Sequence, residues 1–419
     1  MSISTPRLLR ITLATALAIH VGAPAQAQVI PSESLSIAEG RLTIGGNVSA
    51  TFSCAWGSTA DPGACADDTS FFNYTDYEHS ALRSLVIDLT AALHATDHLS
   101  ILGDLRSENV GEPQPYALYV RIRPWRSRGL AIQAGRIPPT FGAFARRSYP
   151  SDNLLIGYPL AYQYLTSLRP DSLPSTADDL LGQQGRGWLS QFPVGNTEPG
   201  RGLPLVNAFR WDTGIQANAV STRWDAAVAL TAGTQANPRV RDDNDGKQLA
   251  ARIAFKPTAG VLLGTSFARG AFVSRDAAAA AGTTDIGRYR QTAWGADVEY
   301  SRDYFLVRAE TIVSRWRVPV MRAPFVDNPL QAIAISVEGR YRISPGLYAA
   351  ARADHLTFSR ILGTARSDHW DAPVTRIEAG AGYSLQRNVV LKASLQHNTR
   401  HGLRRSRLLL GAAQLVVWF

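Results

Sequence analysis

Three groups of residues have the types and spacing to do chemistry, and two of them fail on geometry. Ser394 lies close to His397 and Asn398, a nucleophile near a base. In an extended chain Ser394, Gln396 and Asn398 share one face and His397 takes the other, so no compact triad forms on that strand. Asp242, Asp243, Asn244, Asp245 and Gly246 place carboxylates at a calcium-like spacing. A calcium loop needs a further acidic ligand downstream, which is missing, and the stretch reads as a solvated loop tip. The eight histidines are scattered. No enzyme activity, metal site or cofactor is expected.

The third group is a set of arginines. Arg121 and Arg123 stand two apart, as do Arg340 and Arg342 after Glu338. Arg83, Arg106, Arg223, Arg252 and Arg352 fall singly on what an extended chain makes its polar face, and Arg210, Arg308 and Arg376 do the same. Guanidinium groups ringing an aqueous passage favour anions. Acids interleave with them, among them Asp88, Asp104, Asp297, Glu299, Glu310, Glu338, Asp354 and Glu378. Opposite charges facing each other on neighbouring strands add about 0.2–1 kcal/mol each to a sheet. For any single arginine such a wall pair is the plainer reading. As a set, they would line a pore and lend it a weak to moderate anion preference.

The elements that must position these charges are strands. From Arg41, Leu42, Ile44, Gly46, Val48, Ala50 and Phe52 alternate with Thr43, Gly45, Asn47, Ser49 and Thr51, one face apolar and one polar. The pattern recurs fifteen times, near 81–93, 99–106, 116–124, 130–136, 211–217, 223–230, 249–255, 261–267, 292–300, 305–313, 333–343, 347–355, 375–385, 389–396 and 408–419, which makes sixteen strands. Connections alternate too. Short turns at 95–97, 125–129, 221–222, 257–259, 301–303, 344–346 and 386–388 separate mostly longer polar loops, an asymmetry expected of a transmembrane barrel and not of a soluble sandwich. Trp125, Trp211, Trp224, Tyr300, Tyr304, Trp316, Tyr341 and Trp418 sit at strand ends, where they would form interfacial girdles.

The two ends of the chain agree. Residues 1–27 carry Arg7 and Arg10, an apolar run and Ala25-Gln26-Ala27, the form of a secretory signal peptide cut after Ala27. Residues 28–40 follow as a short N-terminal segment and 41–419 as the barrel. Lys+Arg total 43 against 34 Asp+Glu, and only Lys247, Lys256 and Lys392 are lysines. For an exported basic chain, anionic solutes and lipid are better partners than nucleic acid. Export also favours a local disulfide between Cys54 and Cys65, a loop staple contributing about 3 kcal/mol at most. At the C-terminus, Leu409, Gly411, Ala413, Leu415, Val417 and Phe419 form one apolar face that stops at an aromatic residue. It resembles the C-terminal assembly signal of bacterial outer-membrane barrels, whose last strand pairs with the first.

Between the fifth and sixth strands the alternation stops for residues 137–207. Sixteen strands with one oversized loop after the fifth resemble the porins of Gram-negative outer membranes. There the third outer loop folds into the lumen and narrows it. The passage Gly135-Arg136-Ile137-Pro138-Pro139-Thr140-Phe141-Gly142 is similar to the entry into this loop in phosphate-selective porin-like proteins, although no lysine cluster accompanies it. The resemblance implies an all-β transmembrane barrel in the outer membrane, a passive channel for small hydrophilic or anionic solutes, and a homotrimer. The insert would constrict the pore with Arg146, Arg147, Asp152, Tyr158, Tyr162 and Tyr164, and helices there should be limited to 159–168 and 176–181. A barrel sealed by this insert, structural or adhesive and binding partners through its outer loops, is the alternative. The mature exported protein is expected to begin at Gln28 and to carry Cys54 and Cys65 joined, both read from the mass of its N-terminal peptides with and without reductant.

Overall fold

The computed structural model describes residues 34–56, 85–125, 129–208, 211–403 and 406–419, without the side chains of residues 55, 56, 146, 406 and 408. The signal peptide, Cys65, Arg83, Arg210 and the start of the second strand at Ala81 lie outside the described residues. Sixteen antiparallel strands close into a ring. They are β1 Leu42–Trp56, β2 Leu85–His94, β3 Leu99–Glu108, β4 Gln114–Ile122, β5 Gly129–Ile137, β6 Asp212–Val220, β7 Trp224–Thr231 and β8 Gln248–Phe255. The other half comprises β9 Val261–Ala271, β10 Arg290–Arg302, β11 Phe305–Trp316, β12 Leu330–Ser344, β13 Leu347–Phe358, β14 Val374–Gln386, β15 Val389–Arg400 and β16 Ser406–Trp418. Each expected strand is present. A three-residue strand, Leu35–Ile37, pairs with the start of β1.

Alternation sorts the side chains. Outward positions such as Ile87, Leu89, Leu118, Ile132, Ile215, Val228, Ile253, Ile335, Ile377 and Leu415 are exposed apolar residues, the band a barrel turns to lipid. Trp125, Trp224, Tyr300, Tyr304, Phe305, Tyr341 and Tyr383 stand exposed near the short turns. Trp224 packs on Phe255 with centroids 4.4 Å apart, and Phe305 on Tyr341 at 4.8 Å. These residues form an aromatic belt at the short-turn end. Trp211 and Trp316 do not belong to it. Trp211 packs against the inward Tyr119 and Tyr116, at 6.1 and 5.6 Å, and Trp316 is fully buried against Trp370 at 5.8 Å. Tyr116 also departs from the alternation. A register shift between Asp104 and Leu105 pairs Ala117 and Pro115 with consecutive residues of β3, and the extra Tyr116 of this β-bulge turns inward.

Closure is made by β16 on β1, in a ladder that includes Asn47 opposite Trp418, Val48 opposite Val417 and Ala50 opposite Leu415. Phe419 extends it beyond the last strand: Gly46 N donates to Phe419 O and Phe419 N to Gly46 O, both at 3.0 Å. Its ring covers Gly46, where a Cβ would come within 2.6 Å of Phe419 Cε1. Only glycine lets the two strands meet there. Gly46→Val is expected to destabilise the barrel by about 1–3 kcal/mol through this overlap, whereas Ala50→Val on the same outward face leaves it unchanged; urea unfolding in lipid vesicles reads the difference.

Candidate functional site

The lumen is organised by a row of charges. Glu299, Arg308, Glu338, Arg352 and Glu378 are directly opposite one another in successive strands from β10 to β14. Acid and base alternate at each step because every one of these positions points inward. Arg308 Nε reaches Glu299 at 2.7 Å and its NH1 reaches Glu338 at 3.3 Å. Arg352, with a fully buried side chain, contacts Glu378 at 2.5 Å, Asp354 at 3.2 Å and Glu338 at 3.7 Å. Arg252 on β8 grips Asp297 with both guanidinium nitrogens, at 2.5 and 2.8 Å. On the far side Arg106 pairs with Asp88 at 2.5 Å beneath the ring of Tyr116, 3.8 Å from its centroid. Of the arginines expected to line a pore, Arg106, Arg252 and Arg352 are therefore buried and neutralised. Arg223 is exposed in the turn before β7 and is no part of the wall.

Four of the expected arginines remain facing the lumen without an ion pair among the described residues: Arg121 and Arg123 on and just after β4, Arg340 and Arg342 on β12. Both pairs lie at the short-turn ends, eight strands apart in a ring of sixteen, so they face each other across the same mouth. Tyr119 Oη accepts from Arg121 at 3.1 Å, and Gln133, with its amide oxygen turned to the guanidinium, accepts from Arg121 Nε at 3.0 Å. Next to Arg121 and Arg123 a cavity of about 650 Å³ is bounded by β4 to β7 and lined by Gln133, Gln216 and Asn218 and by Trp211, Tyr119 and Tyr149. Because Arg123, Gly129, Val220 and Asp225 also line it, the cavity begins at the short-turn mouth. A second cavity, about 220 Å³, lies against the charged row and is lined by Arg147, Arg308, Asp297, Glu299, Glu310 and Glu338.

The insert between β5 and β6 folds against the inner wall. It holds two short helices, α1 Leu160–Gln163, inside the expected 159–168, and α2 Ala177–Gly182, which runs one residue past the expected 176–181, and a 3₁₀ turn at Phe144–Arg147. Thr176 and Asp179 cap α2 reciprocally, side chain to backbone in both directions. Its attachments go round the ring: Ser151 to Asn47 on β1 at 2.7 Å, Tyr149 to Asp104 on β3 at 2.5 Å, Tyr162 and Ala143 N to Glu310 on β11 at 2.8 and 2.7 Å, and Gly157 N to Glu378 on β14 at 2.9 Å. Arg147 reaches both Glu299 and Glu338 at 3.7 Å. Burial lowers its guanidinium below the ordinary arginine value, and the nearby Arg308 adds to the shift.

Tyr158, Tyr162 and Tyr164, expected in the constricting insert, lie in it and turn away from solvent. All three are buried: Tyr158 donates to Ser148 O, Tyr162 to Glu310, and Tyr164 to Asp371 at 3.1 Å. A long polar segment cannot show which of its tyrosines fold inward. Asp152 is exposed, and Arg146 has only its backbone described, in the 3₁₀ turn. Cys54, on β1, is buried and disulfide-bonded. In the aspartate-rich loop each acid has a basic partner: Asp242 with Lys247, Asp243 with Arg239 at 2.8 Å, and Asp245 with Arg275. Ser394 is buried inward while His397 points outward, on opposite faces of β15.

Two anchors of the insert were not singled out beforehand. Lys392, buried on β15, donates to Pro150 O and Asn153 O, both at 2.5 Å, and its inward register between Val390 and Ser394 was the available signal. Asp371, in the loop between β13 and β14, accepts from Tyr164 Oη, from Ser167 N at 2.7 Å, from Gly185 N at 2.8 Å and from Ala372 N at 2.7 Å. Burial pushes this carboxyl above the ordinary carboxylate range, against the pull of the four donors. Nothing in the sequence marks it out from other loop aspartates.

Known structures share this architecture. OmpT, an outer membrane protein of Vibrio cholerae, superposes with a TM-score of 0.53 at 8% identity, over 92% of this chain and 99% of that one. The fold is that of the sixteen-stranded porins. An anion-selective porin from Comamonas acidovorans aligns over 90% of this chain and 99% of its own, with a TM-score of 0.52 and 8% identity. Salmonella typhi OmpF, solved with daunomycin, aligns over 92% and 100%, with 0.51 and 12%. No protein-family model and no curated protein matches the sequence.

Asp371→Ala is expected to leave the Ser167 and Gly185 amides without an acceptor, at about 1–3 kcal/mol per buried group. The insert then becomes cleavable by trypsin after Arg186 or Arg201 while the barrel stays folded, which limited proteolysis and electrophoresis report.

Proposed function

We propose that the protein is a channel of the bacterial outer membrane through which small hydrophilic solutes diffuse passively, with a weak to moderate preference for anions. One observation carries the reading: Arg121, Arg123, Arg340 and Arg342 face each other across the short-turn mouth without an ion pair among the described residues, while the deeper arginines are consumed by carboxylates. In an outer-membrane barrel short turns lie on the periplasmic side, so the basic mouth is the periplasmic one. Exposed charges of one sign at a pore mouth raise the local concentration of the opposite ion. Support also comes from the apolar outer band, the aromatic belt and the likeness to porins. The charged row from Glu299 to Glu378 is nearly neutral and contributes rigidity in place of selectivity.

A second reading, a barrel sealed by its insert, is favoured by the packing on the long-loop side. Phe141, Phe144, Tyr158, Leu160 and Tyr162 share one apolar cluster with the wall residues Ile312, Trp316, Leu330, Leu356 and Phe358. Outer loops close over this cluster: Ala177 N donates to Pro324 O at 2.8 Å, and Arg366 to Leu181 O at 2.9 Å.

Planar-bilayer recordings separate the two readings, since a sealed barrel gives no stepwise openings. For the channel, the reversal potential in a salt gradient is expected to show anion preference at 0.1 M salt that fades toward 1 M, as the Debye length falls from about 10 to about 3 Å. Replacing Arg121 and Arg340 together by alanine should bring the anion-to-cation permeability ratio close to unity. The Arg106–Asp88 pair is neutral as a unit, and removing both charges together, Arg106→Met with Asp88→Asn, should leave the ratio unchanged.

A further inference from the structure

We propose that the cavity between β4 and β7 at the short-turn mouth is a binding subsite for a monosaccharide bearing a carboxylate, a hexuronate in class. The inference deepens the channel reading by naming a solute, and it rests on that reading only for how the solute arrives. At about 650 Å³ the cavity falls inside the range of sites that enclose small ligands. Its three kinds of lining are the argument.

Trp211 and Tyr119 supply aromatic surface on the inner side of the wall, where a transmembrane barrel has no lipid to receive it. The indole of Trp211 is packed against Tyr116 and Tyr119, with centroids 5.6 and 6.1 Å apart, which fixes the orientation of its ring. Arg121 is held in place by Tyr119 and Gln133 yet makes no ion pair among the described residues, and Arg123 stands two positions on. Gln216 and Asn218 add amides, fixed by a 2.9 Å bond from Gln216 Nε2 to Asn218 Oδ1 that leaves further donors and acceptors unspent.

A pyranose ring lays its C–H face on an aromatic ring, its hydroxyls meet amides, and a carboxylate matches the guanidinium fork. Each simpler solute leaves part of this lining idle. An inorganic anion makes no use of the rings, a neutral sugar makes none of Arg121 and Arg123, and an aromatic acid gives the amides nothing to bind.

The test is isothermal titration calorimetry of the folded mature barrel in detergent with D-glucuronate, D-glucose and acetate. Glucuronate is expected to bind at least about tenfold more tightly than either of the others, a difference of about 1.4 kcal/mol. Arg121→Ala should reduce glucuronate to the affinity of glucose, Trp211→Ala should weaken both sugars, and Arg288→Ala in the exposed loop before β10 should change neither. Heat-modifiable migration on gels confirms that each variant is folded, and if Trp211→Ala fails that check, Arg121→Ala decides alone. Equal affinity for the three solutes, or glucuronate binding indifferent to Arg121→Ala, overturns the subsite. Because calorimetry needs no conductance, the two proposals fail separately. Glucuronate binding by a barrel that does not conduct keeps the subsite and removes the channel, and conductance without glucuronate binding does the reverse.

Discussion

A sheet in a membrane can have no edge, because an unpaired strand would leave its N–H and C=O groups in hydrocarbon at several kcal/mol each. Everything else in this protein depends on meeting that constraint. The ring closes where β16 lies on β1, and the last residue takes part: Phe419 exchanges both backbone hydrogen bonds with Gly46 and covers it with its ring. Once the ring is closed, the period of two fixes one face of every strand toward lipid and the other toward the lumen. Charges on β10 and charges on β14 then become neighbours in one row, although about eighty residues separate them in the chain.

That row explains why so many arginines serve a narrow function. A charge buried in a lumen packed with protein is costly unless it is paired and hydrogen-bonded. Arg352 meets this by contacting three acids, and Arg252 by gripping Asp297 with both nitrogens. Such residues stiffen the wall and are spent in doing so. Only where the lumen widens toward the short turns can a guanidinium stay solvated without a carboxylate, and there Arg121, Arg123, Arg340 and Arg342 are found. In the lumen wall, the four arginines without an ion pair among the described residues thereby stand at its mouth.

The insert uses the same wall differently. Its polar backbone is accepted by strand side chains, Gly157 by Glu378 and Ala143 by Glu310, while its apolar residues fill the half of the lumen nearer the long loops. Close approach is a condition of the fit. A Cβ at Gly157 would fall 1.9 Å from Gln396 Nε2 and 2.7 Å from Glu378 Oε2, so a larger residue there has to displace these two side chains. Filling one half leaves the cavities of the other half as the space in which a solute could be held.

Sequence alone determined what period and end signals can determine. Sixteen strands, their alternating turns, the face of most wall side chains and the place of the insert follow from local pattern, because a strand's two faces are set by its own residues and its solvent; that the last strand pairs with the first was implied by the resemblance of the C-terminus to that of outer-membrane barrels. Even the interleaving of acids with arginines was legible. Register was not: that Glu299, Arg308, Glu338, Arg352 and Glu378 stand in one line depends on turn geometry and barrel stagger, and a slip of two residues would have left the same alternation with different partners. Nor could local pattern show the bulge that turns Tyr116 inward, the burial of Tyr158, Tyr162 and Tyr164, or the roles of Lys392 and Asp371. Those depend on where seventy residues without periodicity come to rest inside a closed wall, and only the tertiary structure decides which of their polar groups meet a partner.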